Sequence, residues 1–317
     1  MFFWYTIHMN PYLKNLKTIV FDIETMGLMP NKDMVISASF CDPKTMSVTQ
    51  FFSENKSKEK DILLSIYKEL DQYDVVITYN GDRFDLPFIA TRAKKYGIKH
   101  VNRFWSIDMY RYLKKYWQQA KLMPHLNQKS VEVALGLSTD RTDEIGGGEC
   151  IPLYQDYILN CNDEAKELIL LHNADDVRQL SKIYNKVNFL PFDQISFEMG
   201  FGIKADRLVL CNGIRLDKNY LYAELTTSPG GIPSQIYQDN FEFEYDCLTG
   251  DISIKILLET HENLRFVDLN KLPIKTDSLS GLQGYHSDFL VLSEGSNLKY
   301  QEINELVKNL IVHGGLI

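Results

Sequence analysis

Residues 18–24 read TIVFDIE, a β-branched and apolar run that two acidic residues, Asp22 and Glu24, interrupt. Such a run predicts a buried β-strand. Because successive side chains of a strand point to opposite faces, Asp22 and Glu24 project together from one face. Carboxylates this close destabilise each other unless a cation compensates, and Mg²⁺ and Mn²⁺ prefer oxygen ligands. The pair indicates a metal site, although taken alone it fits an edge strand with acids facing solvent more readily.

The stretch around this strand alternates strand and helix patterns. The order is βββαβαβ followed by helices, which predicts an α/β first domain with five strands. After residues 18–24, the predicted strands are 34–40, 48–52, 75–80 and 104–109, and the predicted helices are 61–73, 84–97, 129–137, 153–159 and 163–187.

A second acidic motif, YNGDRFD, occupies residues 79–85. It lies at the end of the fourth predicted strand and the start of the following helix, where α/β proteins place their sites. Asp85 is expected in the first turn of that helix. The alternative is that Asp85 only caps the helix, since the free N–H groups and the dipole of a helix N-terminus favour Asp. Asp82 fits a turn residue better than Asp85 does.

The third motif, HNADDV, lies at residues 172–177 within the long predicted helix. His172 and Asp176 are four residues apart and share one helix face, whereas Asp175 points well away from it. A surface His/Asp pair is the alternative interpretation. Taken jointly, acids on the first strand, after the fourth strand and on the last helix are what a two-metal phosphodiester hydrolase needs.

Three segments resemble the exonuclease motifs of the ribonuclease H-like DEDD superfamily: FDIETMGL (21–28), YNGDRFDLP (79–87) and HNADDV (172–177). Residues 129–157 resemble, more narrowly, the bacterial predicted-exonuclease family typified by YprB. The resemblance covers about residues 17–187 and implies a ribonuclease H-like fold, with a mixed five-stranded sheet flanked by helices.

The resemblance also implies a set of site residues. Two divalent ions, Mg²⁺ or Mn²⁺, would be held by Asp22, Glu24, Asp85 and Asp176, with Asp22 bridging both. The terminal nucleotide would be approached by Thr25, Met26, Gly27 and Leu28, and the same pocket would be shaped by Asn80 and Phe84. The implied product is a nucleoside 5′-monophosphate.

The last motif departs from the superfamily, which has either Tyr four residues before the final Asp or His five residues before it. Here His172 stands four residues before Asp176. The hypothesis that His172 orients or deprotonates the attacking water therefore rests on its helical spacing from Asp176. An alternative alignment, counted from the histidine, would make Asp175 the ligand. Asp176 is preferred because it directly precedes Val177, and the family has its ligand in this Asp-Val pair.

Basic residues follow the second motif, and a glycine run precedes the later helices. The basic residues would either contact backbone phosphates or form a solvated helix face; they are Arg83, Arg92, Lys94 and Lys95 on one helix and Lys114, Lys115 and Lys121 beyond it. Gly146–Gly147–Gly148 matches no phosphate-binding loop, so it is interpreted as a flexible turn.

The helical pattern stops near residues 188–194, where a linker is predicted. The predicted domains are 1–190, the ribonuclease H-like part, and 195–317, a small α+β domain to which the sequence assigns no role or protein partner. The net charge of −8, from 34 basic and 42 acidic residues, disfavours gripping duplex through a broad basic face. Scattered cysteines indicate a reducing cytoplasm, and the apolar residues 1–9 are too short to span a membrane and lack the basic residues of an export signal.

These observations predict a metal-dependent 3′-5′ exonuclease that acts on nucleic acid, DNA or RNA, with a single-stranded 3′ end favoured. Two alternatives remain open. One is a non-catalytic nucleic-acid-binding or scaffold protein of the same fold, and the other is a structure-selective endonuclease that uses the same metals. The intact set of four acids argues against the scaffold protein. The length of the products distinguishes the endonuclease from the exonuclease.

Overall fold

The computed structural model describes residues 10–101, 103–137, 141–142 and 145–316. The chain forms two compact units, one comprising Leu16–Leu190 and the other comprising Asn10–Asn15 together with the residues from Pro191 onwards. The apolar stretch 1–9 lies outside the described residues, as do 138–140 and 143–144 of the stretch that resembles the YprB-like family.

The first unit contains one sheet and the helices around it. Its strands are β1 (Thr18–Thr25), β2 (Val35–Cys41), β3 (Val48–Phe52), β4 (Val75–Thr78) and β5 (Trp105–Asp108). Its helices are α1 (Glu59–Leu70), α2 (Asp85–Lys95), α3 (Met109–Tyr116), α4 (Gln128–Ala134), α5 (Cys150–Asn160) and α6 (Asp163–Lys186). The strand order is β3-β2-β1-β4-β5, so the strand that opens the motif pattern lies in the centre. The β2 strand pairs antiparallel with β1 and β3, and the β1–β4 and β4–β5 pairs are parallel. The predicted mixed five-stranded sheet flanked by helices is confirmed.

Alternation along β1 separates the apolar core from the acidic residues. Phe21 and Ile23 point to one face, where they join a core cluster with Leu63 of α1 and Ile89 of α2. Side chains at even positions point to the other face, which α6 covers. The α6 helix begins after Asn162, whose side chain accepts hydrogen bonds from the backbone N–H groups of Glu164 and Ala165. The acids of β1 therefore face a long, capped helix.

The second unit is β-rich, with one helix near each end of its sequence. Its strands are β6 (Phe201–Lys204), β7 (Leu208–Leu216), β8 (Tyr220–Thr227), β9 (Ser234–Gln238), β10 (Phe241–Tyr245), β11 (Asp251–Leu257), β12 (Glu259–His261), β13 (Leu264–Asp268), β14 (Tyr285–His286), β15 (Phe289–Glu294) and β16 (Asn297–Leu298). Its helices are α7 (Phe192–Met199) and α8 (Tyr300–His313). One sheet has the order β6-β7-β8-β11-β10-β9 and the other β12-β13-β15-β14, with β16 paired to β15. This agrees with the predicted α+β domain.

Two features of the second unit differ from the sequence-based expectations. The stretch predicted as a linker, 188–194, contains the start of α7 at Phe192, because Pro191 is tolerated just before the first turn of a helix. Residues Asn10–Asn15 also pack in this unit, where the Tyr12 hydroxyl donates a 2.7 Å hydrogen bond to Asp193 Oδ1 and accepts one of 2.9 Å from Asn304 Nδ2. Among the described residues, no helix is both long and apolar enough to cross a membrane.

Candidate active site

The two acids of β1 lie against α6. Asn173 Nδ2 of α6 donates a 2.7 Å hydrogen bond to Asp22 Oδ2, and His172 Nε2 lies 3.5 Å from Glu24 Oε1. Behind Asn173, the hydroxyls of Ser37 and Ser39 on β2 both donate to its Oδ1, at 3.0 and 2.7 Å. Because its Oδ1 accepts both serine hydroxyls, the amide of Asn173 is held with its Nδ2 donor towards Asp22. The rotamer of Asp22 is thereby restricted.

Asp85 reaches the same place from the start of α2. Its Oδ1 accepts a 3.1 Å hydrogen bond from the backbone N–H of Ile23, and only 3% of the residue is exposed. The turn before it requires special backbone geometry: Asn80 has a φ of 63°, and a side chain at Gly81 would place its Cβ 2.4 Å from Thr78 Cβ. The turn therefore directs Asp85 towards β1.

The third motif separates its two aspartates, as the helical spacing predicts. His172 Nε2 lies 3.4 Å from Asp176 Oδ2, on the face towards β1. Asp175 instead accepts hydrogen bonds from the backbone N–H and the hydroxyl of Thr142, at 2.6 and 2.7 Å. His172 is buried rather than part of a surface pair.

The structure brings together the four acids that the sequence singles out, and we call Asp22, Glu24, Asp85 and Asp176 the acid cluster. One carboxylate oxygen each from Asp22, Glu24 and Asp176 lie within 4.8 Å of one another. Burial raises the pKa of Asp22 well above its ordinary value, with further contributions from the charges of Asp85, Asp176 and Glu24. Burial likewise raises the pKa of Asp85 to about 7, against the lowering effect of the hydrogen bond from Ile23. The acid cluster thus carries crowded, poorly solvated negative charge.

This donor set fits hard divalent cations. Closely spaced carboxylate oxygens are the ligands that Mg²⁺ and Mn²⁺ take, and a bound cation removes the repulsion that raises the pKa values. Asp22, Glu24 and Asp176 can each contribute an oxygen to one ion. Asp85, next to Asp22, is the remaining candidate ligand.

Sequence reasoning did not find Arg141. Its guanidinium contacts Asp176 Oδ1 and also pairs with buried Glu132, at 2.9 Å to Oε1 and 3.0 Å to Oε2. The charge of Arg141 is therefore shared between two carboxylates. No motif or periodicity marks this arginine, because its partners are 9 and 35 residues away in the sequence.

A cavity of about 390 Å³ opens beside the acid cluster. Asn80 and Phe84 line it together with His172, so the structure brings these two predicted pocket residues to the site. Thr25, Met26, Gly27 and Leu28 are not among the described residues that line the cavity. Thr25 is the last residue of β1 and the other three follow it; Leu28 is 81% exposed, and Met26 packs against the cluster of Met34 and Tyr154.

Two interpretations of individual residues are wrong or incomplete. Arg92 cannot contact substrate phosphates, because it is 2% exposed and donates from Nε to Glu59 Oε1 at 2.6 Å. The glycine run is more than a flexible turn: Gly147 begins a 3-10 turn that leads into α5, and a Cβ on it would lie 3.8 Å from Glu24 Oε2. A run of glycines directly before a helix was the available signal.

Comparisons with known proteins place this geometry in context. Residues 19–188, more than half of the chain, match the model of the RNase_H superfamily. A DNA polymerase from Methanocaldococcus jannaschii is 36% identical over 96 residues, which are 27% of this chain and 6% of that protein. A DNA polymerase from Pyrococcus glycovorans is 38% identical over 98 residues, 27% of this chain and 12% of that protein. The similarity thus spans a small part of these relatives.

Among solved structures, the family B DNA polymerase from the hyperthermophilic archaeon Pyrobaculum calidifontis matches with a TM-score of 0.42 and 14% sequence identity. The match covers 66% of this chain and 34% of that chain.

Proposed function

Because this chain belongs to the RNase_H superfamily, we propose that it is a metal-dependent 3′-5′ exonuclease of the DEDD type, related to the YprB-like family. Its substrate would be nucleic acid with a single-stranded 3′ end, and its product a nucleoside 5′-monophosphate. The names of its relatives support a nucleic-acid substrate, since both are DNA polymerases. Polymerase activity is not part of the proposal, because only a small share of those proteins is matched.

One observation carries the proposal: acids from β1, the start of α2 and α6 meet beside an open cavity. A protein keeps such repulsive charge where a ligand compensates it. Divalent ions held by Asp22, Glu24, Asp85 and Asp176 would supply positive charge to the scissile phosphate and lower the pKa of the attacking water. Asn173 would keep Asp22 in one orientation for this task.

His172 is the proposed group that orients or deprotonates the attacking water. Its Nε2 faces the carboxylates of Glu24 and Asp176, and the residue lines the cavity. A positioned general base contributes about 10²- to 10⁴-fold to a rate. We expect His172→Ala to lower turnover on a defined oligonucleotide at neutral pH by that factor. Full turnover would exclude the role of His172 and leave the acid cluster untouched.

The substrate preference follows from shape and charge. A cavity of about 390 Å³ accommodates the end of one strand, and the net charge of −8 disfavours wide contact with duplex phosphates. The exposed side chain of Leu28 would contact a terminal base, while Asn80 and Phe84 would shape the pocket. The five free cysteines support a reducing compartment, which we propose is the cytoplasm.

The test is a cleavage assay on 5′-labelled single-stranded DNA and RNA with Mn²⁺, Mg²⁺ or EDTA. We expect a metal-dependent ladder that shortens from the 3′ end and is lost in Asp176→Asn. The matched control is Asp175→Asn, which alters the neighbouring buried acid that binds Thr142 instead. Internal products from a circular substrate would favour the endonuclease, and substrate binding without cleavage would favour the scaffold protein.

A further inference from the structure

A second group of possible ligands shares Glu24 with the acid cluster. Cys150 Sγ, one imidazole nitrogen of His172 and a Glu24 carboxylate oxygen all lie within 4.8 Å of one another, and all three residues are buried. Cys150 is the first residue of α5 and forms no disulfide. The proposed hydrolysis does not use its thiol, which lies in the core next to a polar site.

The chemistry of this group differs from that of the acid cluster. It offers one sulfur, one imidazole nitrogen and one oxygen, whereas Mg²⁺ takes oxygen ligands almost exclusively. Zn²⁺ is borderline soft and binds Cys, His and Glu side chains in one site. Glu24 is thus common to a hard-metal donor set and a softer one.

The spacing of the imidazole and carboxylate ligands suits a tetrahedral ion. Zn–N and Zn–O distances of about 2.0–2.2 Å place neighbouring ligands of a tetrahedron about 3.4 Å apart. His172 Nε2 lies 3.5 Å from Glu24 Oε1, close to this separation. Gly147 leaves the approach to Glu24 and His172 without a side chain, since even an added Cβ would only reach contact distance of both. The two residues line the open cavity, which provides an entry path.

We propose that Glu24, Cys150 and His172 form a zinc site, with the fourth position open to the cavity. The thiol proton leaves to solvent when the ion binds, and the thiolate, the imidazole and the carboxylate become its ligands. Because Zn²⁺ binds nitrogen and sulfur donors more tightly than Mn²⁺ does, zinc outcompetes Mn²⁺ at this site.

Occupation of this site has a functional consequence that rests on the proposed function. Zinc would hold Glu24 and His172 away from the attacking water and the hard-metal site. The predicted effect is inhibition by zinc in the presence of Mn²⁺ or Mg²⁺. Binding itself does not depend on nuclease activity, so the two can be measured separately.

The binding test uses Co²⁺ as a spectroscopic probe for zinc, on the full chain. A cobalt–thiolate bond gives a charge-transfer band in the near ultraviolet, which carboxylate ligation does not. We expect the band in the wild type, its displacement by Zn²⁺, and its loss in Cys150→Ser. The matched control is Cys161→Ser, which alters an exposed cysteine of the same unit and should keep the band. Circular dichroism of each variant checks that it is folded.

Competition with a zinc-binding dye then gives the affinity. Loss of a direct ligand should weaken zinc binding by at least about 100-fold, the upper end of the effect of removing an outer partner. Absence of the band in the wild type, or a band that persists in folded Cys150→Ser, would overturn the site. If the band behaves as expected but no variant cleaves nucleic acid, the zinc site stands and the proposed function fails. If cleavage occurs, zinc should inhibit the wild type more than Cys150→Ser, each relative to its own zinc-free rate.

Discussion

Two clusters of buried charge in the first unit differ in how their carboxylates are compensated. Glu59 is 1% exposed and accepts hydrogen bonds from Arg92 Nε, the Tyr96 hydroxyl and the backbone N–H of Val35, at 2.6, 2.8 and 3.0 Å. We call Glu59, Arg92 and Tyr96 the paired cluster. The acid cluster instead brings four carboxylates together, and Arg141 divides its charge between Asp176 and Glu132.

Structural charge and functional charge differ in where the compensating cation comes from. In the paired cluster the protein itself supplies the cation, and Glu59 raises the pKa of Arg92 through a direct hydrogen bond. In the acid cluster, burial and mutual repulsion raise the pKa of Asp22. Buried carboxylates that raise one another's pKa in this way indicate that a ligand neutralises them. Removing a charge should therefore have opposite consequences in the two places.

The largest effect is expected for Asp22→Asn. A metal ligand underlies several kcal/mol of transition-state stabilisation, so turnover should fall about 10³-fold or more. The free energy of unfolding in EDTA should stay the same or rise, because the substitution removes repulsion from Asp85, Asp176 and Glu24. Single-turnover cleavage and urea unfolding measure the two quantities. Asp61→Asn, at an exposed acid of α1, is the control. If the turnover of Asp22→Asn stayed within tenfold of that of the wild type, the acid cluster would not have the catalytic role that distinguishes it from the paired cluster.

Arg92→Met should show the reverse pattern. It leaves Glu59 buried without its cation, which costs about 3–5 kcal/mol of unfolding free energy. Turnover per folded molecule should stay near that of the wild type, since Arg92 does not line the cavity. Urea unfolding at a fixed temperature gives the unfolding free energy. Active-site titration gives the concentration of folded enzyme by which the turnover is normalised.

A double variant tests whether charge is the reason for that loss. Glu59→Gln combined with Arg92→Met removes the uncompensated charge, while the amide oxygen can still accept from the Val35 N–H. We expect it to recover a large part of the lost stability. A double variant as unstable as Arg92→Met alone would mean that lost packing of the arginine stem, not charge, dominates.

Sequence patterns predict the relations between residues of one element. Local periodicity predicts β1 and places Asp22 and Glu24 on one face, and helix geometry predicts that His172 and Asp176 meet while Asp175 does not. These relations hold within one element, where backbone geometry alone decides direction. The mixed sheet followed from the order of the elements and from the resemblance of three motifs.

Contacts between distant elements were not predictable in the same way. Arginine is a residue type that commonly binds phosphate. Only the pairing of Arg92 with Glu59, 33 residues away, shows that this arginine has a structural role. Arg141 and Gly147 reach the site from a segment without clear periodicity. Asn10–Asn15 packs with residues beyond 190 through Tyr12, whose partner Asn304 is 292 residues away. Such pairings depend on the assembled fold and leave no local signal.

Asn173→Ala tests the part of the acid cluster that a neutral amide, rather than a cation, contacts. The substitution removes the hydrogen bond to Asp22 Oδ2 and the acceptor of Ser37 and Ser39. Loss of an outer partner of a metal ligand typically costs about 10- to 100-fold in metal affinity or activity. A Mn²⁺ titration of the cleavage rate separates affinity from turnover. Asn185→Ala, at an exposed asparagine of the same helix, should change neither, and equal behaviour of the two variants would remove the positioning role.

The smallest effect is expected from the metal ion alone. An ion that binds only the folded state adds about 1.4 kcal/mol of stability at ten times its Kd. Mn²⁺ should therefore raise the unfolding temperatures of the wild type and of Arg92→Met, and the two gains in unfolding free energy should be similar. It should not raise the unfolding temperature of Asp22→Asn. Sodium chloride at equal ionic strength controls for general screening of the net charge of −8. If Mn²⁺ stabilised Asp22→Asn as much as the wild type, the ion would bind elsewhere, and the repulsion within the acid cluster would have no ligand to relieve it. If Mn²⁺ stabilised only the proteins that contain Asp22, it would be the cation that compensates the acid cluster, and this conclusion would not depend on a measurement of catalysis.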